Sequence, residues 1–226
     1  MTKPLRLIVF DVDGTLVDSQ QDIVASMRGA YEAAGLEAPD RAAILAIVGL
    51  SLNVAIPRLT PGLPAESYDF LEKSYKEIYH QRRSSQGTLV SSPMYPGVRE
   101  MLGQVASVPE HLLGVATGKS RRGLDALIAG HGLEGLFLTQ QVADHHPSKP
   151  HPAMLLAALA ETGVDAANAV MIGDTEFDIQ MARAAGMRAI GVSWGYHTPD
   201  RLDGADVVVH EVAQLADTIT RLWGQA

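Results

Sequence analysis

The chain has 226 residues, of which 46% are hydrophobic and 19% charged, with a formal net charge of −8 and no cysteine. This length and balance fit one large or two small globular domains, and the acidic surplus argues against a protein that binds nucleic acid polymers. Disulfide and thiolate chemistry are excluded, and no apolar run approaches membrane-spanning length, so we expect a soluble cytoplasmic protein without a membrane partner.

Short apolar runs along the chain predict the strands of a parallel sheet. The first is LRLIVF at residues 5–10, and similar runs occupy residues 112–117, 169–173, 188–192 and 206–210. Their branched residues follow one another without polar alternation, which is typical of strands buried on both faces. Helical patterns lie between the later runs. Strands that alternate with helices predict an α/β fold with a doubly wound, Rossmann-like parallel sheet.

Residues 18–92 depart from this alternation, because their apolar residues follow helical spacing and form no convincing strand. Ser19 is a candidate N-cap of a first helix, and Asp40 is a candidate N-cap of a second helix that carries Ile44, Ile47 and Val48. The simplest organisation is an inserted α-helical cap domain at residues 18–92, with the α/β core formed by residues 1–17 and 93–226.

Two carboxylates, Asp11 and Asp13, directly follow the first predicted strand. Residues two apart in an extended chain point to the same side, so both acids can face one volume at the carboxyl edge of the sheet, where open α/β folds bind ligands. Carboxylates this close repel each other unless a metal ion, a shared proton or divided acid and nucleophile roles intervene. Gly14 then permits a tight turn that brings backbone N–H groups near a ligand. Without other motifs, a solvated turn would be the better interpretation.

Further polar side chains stand at the ends of later predicted elements. Thr117 ends the second strand ahead of a helix start, and Lys149 stands among turn residues just before another helix. Asp174 ends a further strand, and Asp178 follows one helical turn later. Taken singly, an N-cap, a solvated lysine and acids at a helix N-terminus explain them. In order, DxDGT, a strand-end Thr, Lys-Pro and GDxxxD form a pattern far more specific than its parts.

This ordered set resembles the haloacid dehalogenase-like (HAD) hydrolase superfamily over essentially the whole chain, including a helical cap inserted after the first motif. The stretches FDVDGTLVDS, YPGV, KPHPAML and GDTEFDIQMARAAGM are similar to its phosphoglycolate phosphatase-like subgroup. The resemblance implies a Mg²⁺-dependent phosphomonoester hydrolase that acts through an aspartyl phosphate. We expect its partner to be a small phosphorylated metabolite (phosphoglycolate-like, a sugar phosphate or a nucleotide), and the protein to be a monomer or dimer.

The resemblance also implies roles for the acids. Asp11 matches the nucleophile that attacks phosphorus, and Asp13 matches the general acid/base that protonates the leaving alkoxide and then activates water. Mg²⁺ would be held by the Asp11 carboxylate, the Asp13 backbone carbonyl and Asp174, since hard oxygen ligands suit that ion. Dehalogenases usually lack an acid at the second position, so Asp13 favours phosphoryl transfer.

The same resemblance implies a set of phosphate-binding groups. Thr117 and Lys149 would hold the phosphoryl oxygens together with backbone N–H groups near Gly14 and Gly118, and so neutralise the charge that spreads over these oxygens in the transition state. Asp178 would orient metal-bound water or Lys149 from behind.

Other functions remain open from the residues alone. The same chemistry would serve a phosphomutase similar to β-phosphoglucomutase or an inorganic pyrophosphatase. A noncatalytic phosphoacceptor module, like a response-regulator receiver, also has an acidic pocket with Thr and Lys at strand ends, but receivers lack both DxDGT at the first strand and the cap. His145 and His146 stand near Lys149, yet no HxxxH or cysteine pairing supports a zinc site.

Three features of the cap and the later loops also have two interpretations. We interpret the tyrosines of the longest predicted helix as packing residues rather than as a ligand stripe. The basic stretch with Arg82 and Arg83 is interpreted as a solvated helix end rather than as a contact for an anionic substrate tail. The loop at residues 191–202, which contains Trp194, follows a strand end and is a candidate wall of the site.

Overall fold

The computed structural model describes residues 3–224, and its central element is a six-stranded, all-parallel sheet. The strands are β1 (Arg6–Phe10), β2 (His111–Thr117), β3 (Thr139–Val142), β4 (Ala169–Gly173), β5 (Arg188–Val192) and β6 (Val207–Val209). Their spatial order is β3-β2-β1-β4-β5-β6. The chain therefore starts in the middle of the sheet, winds to one edge and then to the other, and the predicted doubly wound α/β fold is confirmed.

Residues 20–91 form the helical insertion that the sequence predicted after the first strand. Its helices are α1 (Gln20–Ala33), α2 (Arg41–Leu45), α3 (Leu52–Leu59), α4 (Ala65–Gln86) and α5 (Thr88–Ser91). Apolar side chains of α1, α2, α3 and α4 pack into a cluster of their own, which includes Met27, Tyr31, Ile44 and Leu71. We call this segment the cap; the exact division of the chain into two domains stays a prediction.

Five more helices cover the two faces of the sheet, and among the helices of residues 3–224 none combines the length and apolar character needed to cross a membrane. They are α6 (Val98–Ala106), α7 (Arg121–His131), α8 (Ala153–Thr162), α9 (Glu176–Ala184) and α10 (Leu215–Leu222). Alternate residues of β1 face opposite layers, so Ile8 and Phe10 pack with α6, α7 and α10, whereas Leu7 and Val9 pack with α8 and α9. The strands read as continuous apolar runs because both faces are buried in this way.

β3 and α2 are among the local elements that differ from the sequence prediction. β3 has the sequence TQQV and was not predicted, because its polar residues give no apolar run at this edge of the sheet. Asp40 does cap α2, with its side chain accepting from Ala43 N at 2.7 Å. The helix is shorter than expected, however: it ends at Leu45, and residues 46–50 form a turn that leads into α3.

The two chain segments that join the cap to the sheet pair with each other. Asp18 N–H donates to Pro93 O at 2.8 Å, and Tyr95 N–H donates to Leu16 O at 3.1 Å. These connections lie just beyond the carboxyl end of β1. The cap therefore stands over the edge of the sheet at which the predicted site residues are found.

Candidate active site

The predicted site residues from three strands meet at the carboxyl edge of the sheet. Asp11 follows β1, Thr117 ends β2 and Asp174 follows β4. β1 pairs in parallel with both β2 and β4, so these three strand ends lie side by side. All three side chains are buried, although each is polar or charged. Buried polar groups at adjoining strand ends are the usual setting of a ligand site in an open α/β sheet.

Lys149 lies between Asp11 and Asp178 and is only 1% exposed. Its Nζ is 2.9 Å from Asp11 Oδ1 and 2.7 Å from Asp178 Oδ1. Burial alone would lower the pKa of Lys149, but the two carboxylates outweigh that effect and hold this pKa above its ordinary value. The lysine is therefore charged, and it offsets part of the negative charge that the strand ends concentrate here.

Asp178 is fixed at the start of α9 by its neighbours. Its Oδ2 accepts from Thr175 Oγ1 at 2.6 Å and from Thr175 N at 3.1 Å, while Thr175 Oγ1 in turn accepts from Asp178 N. This reciprocal capping box holds the carboxylate at one orientation. The remaining oxygen, Oδ1, points to Lys149, which is the contact that a positioning role for Asp178 requires.

Asp174 is held by contacts on both of its oxygens. Thr15 Oγ1 donates to Oδ1 at 2.9 Å, and Tyr196 N–H donates to Oδ2 at 2.8 Å. A Cβ on Gly14 would lie 2.2 Å from Asp174 Oδ2, and one on Gly195 would lie 2.3 Å from it, so both glycines make room for this carboxylate. Burial raises the pKa of Asp174 well above its ordinary value, and the neighbouring carboxylates raise it further.

Three carboxylates at this edge could share one cation. Oxygens of Asp11, Asp174 and Asp178 lie within 4.8 Å of one another, and all three residues are buried. Among the described residues, neither oxygen of Asp11 accepts a well-directed hydrogen bond, despite the nearby Lys149. Burial raises the pKa of Asp11 to about 7, since desolvation outweighs the attraction of Lys149. A divalent cation with oxygen ligands would relieve both conditions, so the donor set fits Mg²⁺.

Asp13 stands on the cavity side of this cluster and has partners that the sequence analysis did not single out. Lys119 Nζ lies 2.8 Å from Asp13 Oδ1, and Lys119 Nζ also donates to Tyr79 OH at 3.1 Å. Ser19 Oγ donates a short hydrogen bond to Asp13 Oδ1. Ser19 is the N-cap residue of α1, as predicted, but its hydroxyl turns to the acid and makes no cap hydrogen bond to the helix.

The two glycines predicted to offer backbone N–H groups differ in their surroundings. Gly14 N–H donates to Val17 O at 2.9 Å within the turn, and phosphate binding by the N–H groups near Gly14 stays a prediction. Gly14 serves a turn with φ +88° and the space for Asp174. Gly118 approaches the cap: a Cβ there would lie 2.8 Å from Gly49 O and 3.1 Å from Leu50 O. Phosphate binding by the Gly118 amide stays a prediction.

A cavity of about 580 Å³ lies between this edge of the sheet and the cap. At its inner end it is lined by Asp11, Asp13 and Thr117. Its other walls come mostly from the cap, through α1, α3, α4 and the turn at residues 46–50, and partly from residues 118–123 and 143–144 beside the sheet. The site is thus a chamber with a charged, hydrogen-bonding end and a separate set of walls that the cap supplies.

Comparison with known proteins agrees with this arrangement. A family model described as haloacid dehalogenase-like hydrolase matches residues 8–192, which span the sheet from β1 to β5 together with the cap. The chain belongs to the haloacid dehalogenase-like hydrolase family. The enzyme predicted from the order of the motifs is confirmed at this level.

Individual relatives of this hydrolase carry phosphatase names. It is 37% identical over 226 residues to a protein named "Probable phosphatase IndB" of Dickeya dadantii, covering 97% of this chain and 93% of the relative. It is 33% identical over 218 residues to the phosphoglycolate phosphatase of Chromobacterium violaceum, covering 95% and 96%. A crystal structure of β-phosphoglucomutase from Clostridium difficile shares the fold, with a TM-score of 0.83, 19% identity and 98% of each chain covered.

The cap of this hydrolase confirms one sequence interpretation and corrects another. Tyr68, Tyr75 and Tyr79 pack against the apolar cluster of the cap, as predicted, and Tyr75 and Tyr79 also line the cavity. Arg82 is not a solvated helix end, because its guanidinium contacts the buried Asp22 at 2.8 Å. The helical period places these residues on α4, but it does not say which side the core of the fold will meet.

The two histidines lie apart from the acid cluster, whereas the loop after β5 borders it. Neither His145 nor His146 joins that cluster, and His146 contacts Gln141, so nothing in the described residues supports the zinc site. The loop that follows β5 does border the site. Trp194 Nε1 donates to Thr15 O at 3.1 Å, and Tyr196 supplies the backbone N–H that holds Asp174.

Proposed function

We propose that this protein is a Mg²⁺-dependent phosphomonoester hydrolase that acts through an aspartyl phosphate. The observation that carries the proposal is Asp11, a buried carboxylate at the end of β1 that lines the cavity and accepts no well-directed hydrogen bond from the described residues. A carboxylate without such partners keeps its lone pairs for a bond to phosphorus. Lys149 beside it supplies the positive charge that a phosphoryl group requires.

In the first half of the reaction, an Asp11 oxygen forms a bond to phosphorus while the bond between phosphorus and the ester oxygen breaks. Asp13 gives its proton to the departing alkoxide. In the second half, the Asp13 carboxylate takes a proton from water, whose oxygen attacks phosphorus and breaks the acyl phosphate. Inorganic phosphate leaves, and Asp11 returns to its starting state.

The other polar groups would hold the phosphoryl oxygens. Thr117 and Lys149 are buried next to the nucleophile, so their donors are fixed before the substrate arrives. Asp178 keeps Lys149 in place through its contact with Nζ. Asp11, Asp174 and the backbone carbonyl of Asp13 would hold Mg²⁺, which supplies charge neutralisation at the phosphoryl oxygens when it is bound.

The substrate belongs to the small organic phosphates, which include phosphoglycolate-like acids, sugar phosphates and nucleotides. The names of the curated relatives support a phosphatase, and one of these relatives is named for phosphoglycolate. The cavity supports an ester small enough to fit beneath the cap.

The test is phosphate release from p-nitrophenyl phosphate with and without Mg²⁺. Turnover is expected only with the ion, and Asp11→Asn is expected to abolish it because an amide oxygen cannot form the acyl phosphate. An unchanged circular dichroism spectrum of Asp11→Asn is the control for folding. Substantial metal-dependent turnover by that variant would overturn the assignment of the nucleophile.

A further inference from the structure

We infer that the alcohol part of the substrate is a ring-bearing group of about nucleoside size rather than a two-carbon acid. The inference rests on the proposed phosphatase function and concerns the part of the cavity that does not touch the phosphoryl group. Four features of the cavity support it: its total volume, the apolar part of its walls, a pair of tyrosine rings, and polar groups that have no protein partner.

The volume exceeds what a two-carbon ester would fill. The cavity measures about 580 Å³, whereas one water molecule takes up roughly 30 Å³ of the liquid. A phosphoglycolate molecule, with about as many non-hydrogen atoms as nine waters, would leave much of this space to solvent. Cavities of roughly 300–1,000 Å³ usually hold ligands of drug or cofactor size.

One part of the wall beyond the phosphoryl end is apolar, although charged side chains of α4 also line the cavity. The apolar part is formed by Ile23 and Met27 of α1, together with Val48 and Leu50 from the turn before α3. A small, multiply charged acid gains nothing from such apolar surfaces and loses hydration against them. A substrate with an apolar body of its own would gain binding free energy from every part of these walls that it covers.

Two tyrosines of α4 provide an aromatic surface in the same cavity. The rings of Tyr75 and Tyr79 stack with centroids 5.8 Å apart and planes 25° from parallel. Tyr79 is anchored through its hydroxyl to Lys119, which also contacts Asp13. Tyr75 lines the cavity as well. Flat rings that border a cavity favour a flat ligand, because offset stacking adds to the burial of area.

Polar groups without protein partners complete the walls. Ser51 is 7% exposed and lines the cavity, yet its Oγ finds no hydrogen-bond partner in the described part of the chain. Arg83 stands one turn beyond Tyr79 on α4 and lines the same cavity. Its guanidinium does not lie within 4.0 Å of a carboxylate of residues 3–224. These donors suit the polar edge and hydroxyl groups of a heteroaromatic, sugar-bearing alcohol.

The experiment compares three primary alkyl phosphates: phosphoglycolate, ribose 5-phosphate and uridine 5′-monophosphate. Their ester oxygens are chemically similar, so differences in kcat/KM report the fit of the alcohol. We expect uridine 5′-monophosphate to exceed ribose 5-phosphate by about tenfold, which is the usual benefit of a base stacked on an aromatic side chain. Equal values for these two esters, or the highest value for phosphoglycolate, would overturn the inference.

Variants test the aromatic surface separately. Tyr75→Leu, which removes the ring but keeps apolar bulk, should reduce the preference for the nucleotide over ribose 5-phosphate by about fivefold. Tyr75→Phe should keep the preference. The matched control is Phe70→Ala, because Phe70 lies on the same helix but is 47% exposed and does not line the cavity. A preference that Tyr75→Leu leaves unchanged would contradict the stacking role.

A binding measurement separates this inference from the phosphatase proposal. Calorimetric titration of the Asp11→Asn variant with uridine 5′-monophosphate and with ribose 5-phosphate needs no turnover. If no ester is hydrolysed by the wild-type protein but the nucleotide still binds about tenfold more tightly, the catalytic proposal fails and the inferred ligand class stands. If esters are hydrolysed but the two dissociation constants agree, only the inference fails.

Discussion

At the scale of a single residue, the buried charge of Lys149 is compensated by two neighbouring carboxylates. Its ammonium group is buried between Asp11 and Asp178, both of which are buried as well. Removing one partner of such a set leaves the others as uncompensated buried charges, which costs more than the pair contributes when intact.

We therefore predict that Lys149→Met lowers the free energy of unfolding in the absence of Mg²⁺ by about 3–5 kcal/mol. Urea denaturation monitored by circular dichroism measures this change. Added Mg²⁺ should restore part of the loss, since an ion that binds only the folded state stabilises it. Lys73→Met, at an exposed lysine of α4, is the control and should change stability little. A loss for Lys149→Met no larger than that of the control would contradict the argument.

Single residues were predictable where a motif ties chemistry to a strand end. Asp11, Thr117 and Asp174 each stand at such an end, and a parallel sheet brings these ends together whatever the cap does. Lys119 could not be found in this way, although it follows Thr117 in the same TGKS stretch. Its partners Asp13 and Tyr79 come from other elements, so only the folded structure reveals its contacts.

At the scale of secondary-structure elements, α1 and α4 contact each other inside the cap. Asp22 of α1 is buried, and both the Nε and the Nη2 of Arg82 on α4 lie 2.8 Å from its Oδ1. The second oxygen of Asp22 has no hydrogen-bond partner among the described residues. The arginine is thus the group that compensates this carboxylate.

We predict that Arg82→Met destabilises the protein by about 2–3 kcal/mol, somewhat less than for a fully buried pair because the arginine reaches solvent. The double variant Asp22→Asn/Arg82→Met should recover part of this loss, since it removes the stranded charge. Thermal unfolding of the single and double variants measures the effect. Arg28→Met serves as the control, because Arg28 is exposed on α1. If the double variant lost more stability than the two single variants lose together, the charge explanation would fail.

Gly118 governs the approach of the cap turn to the sheet. The oxygens that a Cβ would meet, Gly49 O at 2.8 Å and Leu50 O at 3.1 Å, belong to the backbone and cannot rotate away. We predict that Gly118→Ala displaces residues 46–50 and lowers kcat/KM for p-nitrophenyl phosphate by about tenfold, because misplacing one wall disturbs the geometry at the nucleophile.

Two measurements check the Gly118 prediction. Hydrogen exchange at residues 46–52 should become faster in Gly118→Ala, and kcat/KM should fall. Gly103→Ala is the matched control, since its added Cβ meets open space on α6 and alanine favours a helix. If hydrogen exchange in the cap turn were unchanged while activity was lost completely, the prediction would be contradicted. The substitution would then disturb phosphate binding and not the position of the turn.

The sequence predicted some strands and helices correctly and missed others. The apolar strands were found because both of their faces are buried, and Asp40 was recognised as the cap of α2. β3 was missed because an edge strand can be polar, and α3 was missed because Pro57 lies inside it. In both cases packing against neighbours outweighs the local propensity, which no single-sequence pattern expresses.

At the scale of the whole molecule, the placement of the cap on the sheet was the least predictable feature. It depends on contacts between residues far apart in the chain, such as Ser51 N–H donating to Ser148 Oγ at 2.9 Å. His197 makes another of these contacts. It lies in the loop after β5, is 2% exposed, and its Nε2 is 3.0 Å from Ala46 O of the cap.

The hydrogen bonds of His197 define its protonation state. Glu176 N–H donates to Nδ1 at 3.2 Å, so Nδ1 carries no proton and Nε2–H donates to Ala46 O. Burial lowers the pKa of His197, and Arg201 lowers it further, against weaker opposing effects of Ala46 O, Glu176 and Asp178. A proton on Nδ1 would end the bond from Glu176 and place a charge next to Arg201.

The sign of the pH dependence follows from that lowered pKa. The unfolded chain takes up the proton first, near pH ~6.5, so the stabilisation is complete above this pH and declines as the pH falls towards the folded-state pKa. We predict that His197→Gln costs about 1–2 kcal/mol at pH 8, where a neutral hydrogen-bonded ring is lost. Below pH ~6.5 the stability of this variant should fall less steeply than that of the wild type.

Urea denaturation across pH 8 to about 5 measures how steeply the stability of each protein changes with pH. His145→Gln, at an exposed histidine, is the control and should keep the wild-type slope. If the free energy of unfolding changed with pH equally in the wild type and in His197→Gln, protonation of this histidine would not affect the packing of the cap on the sheet.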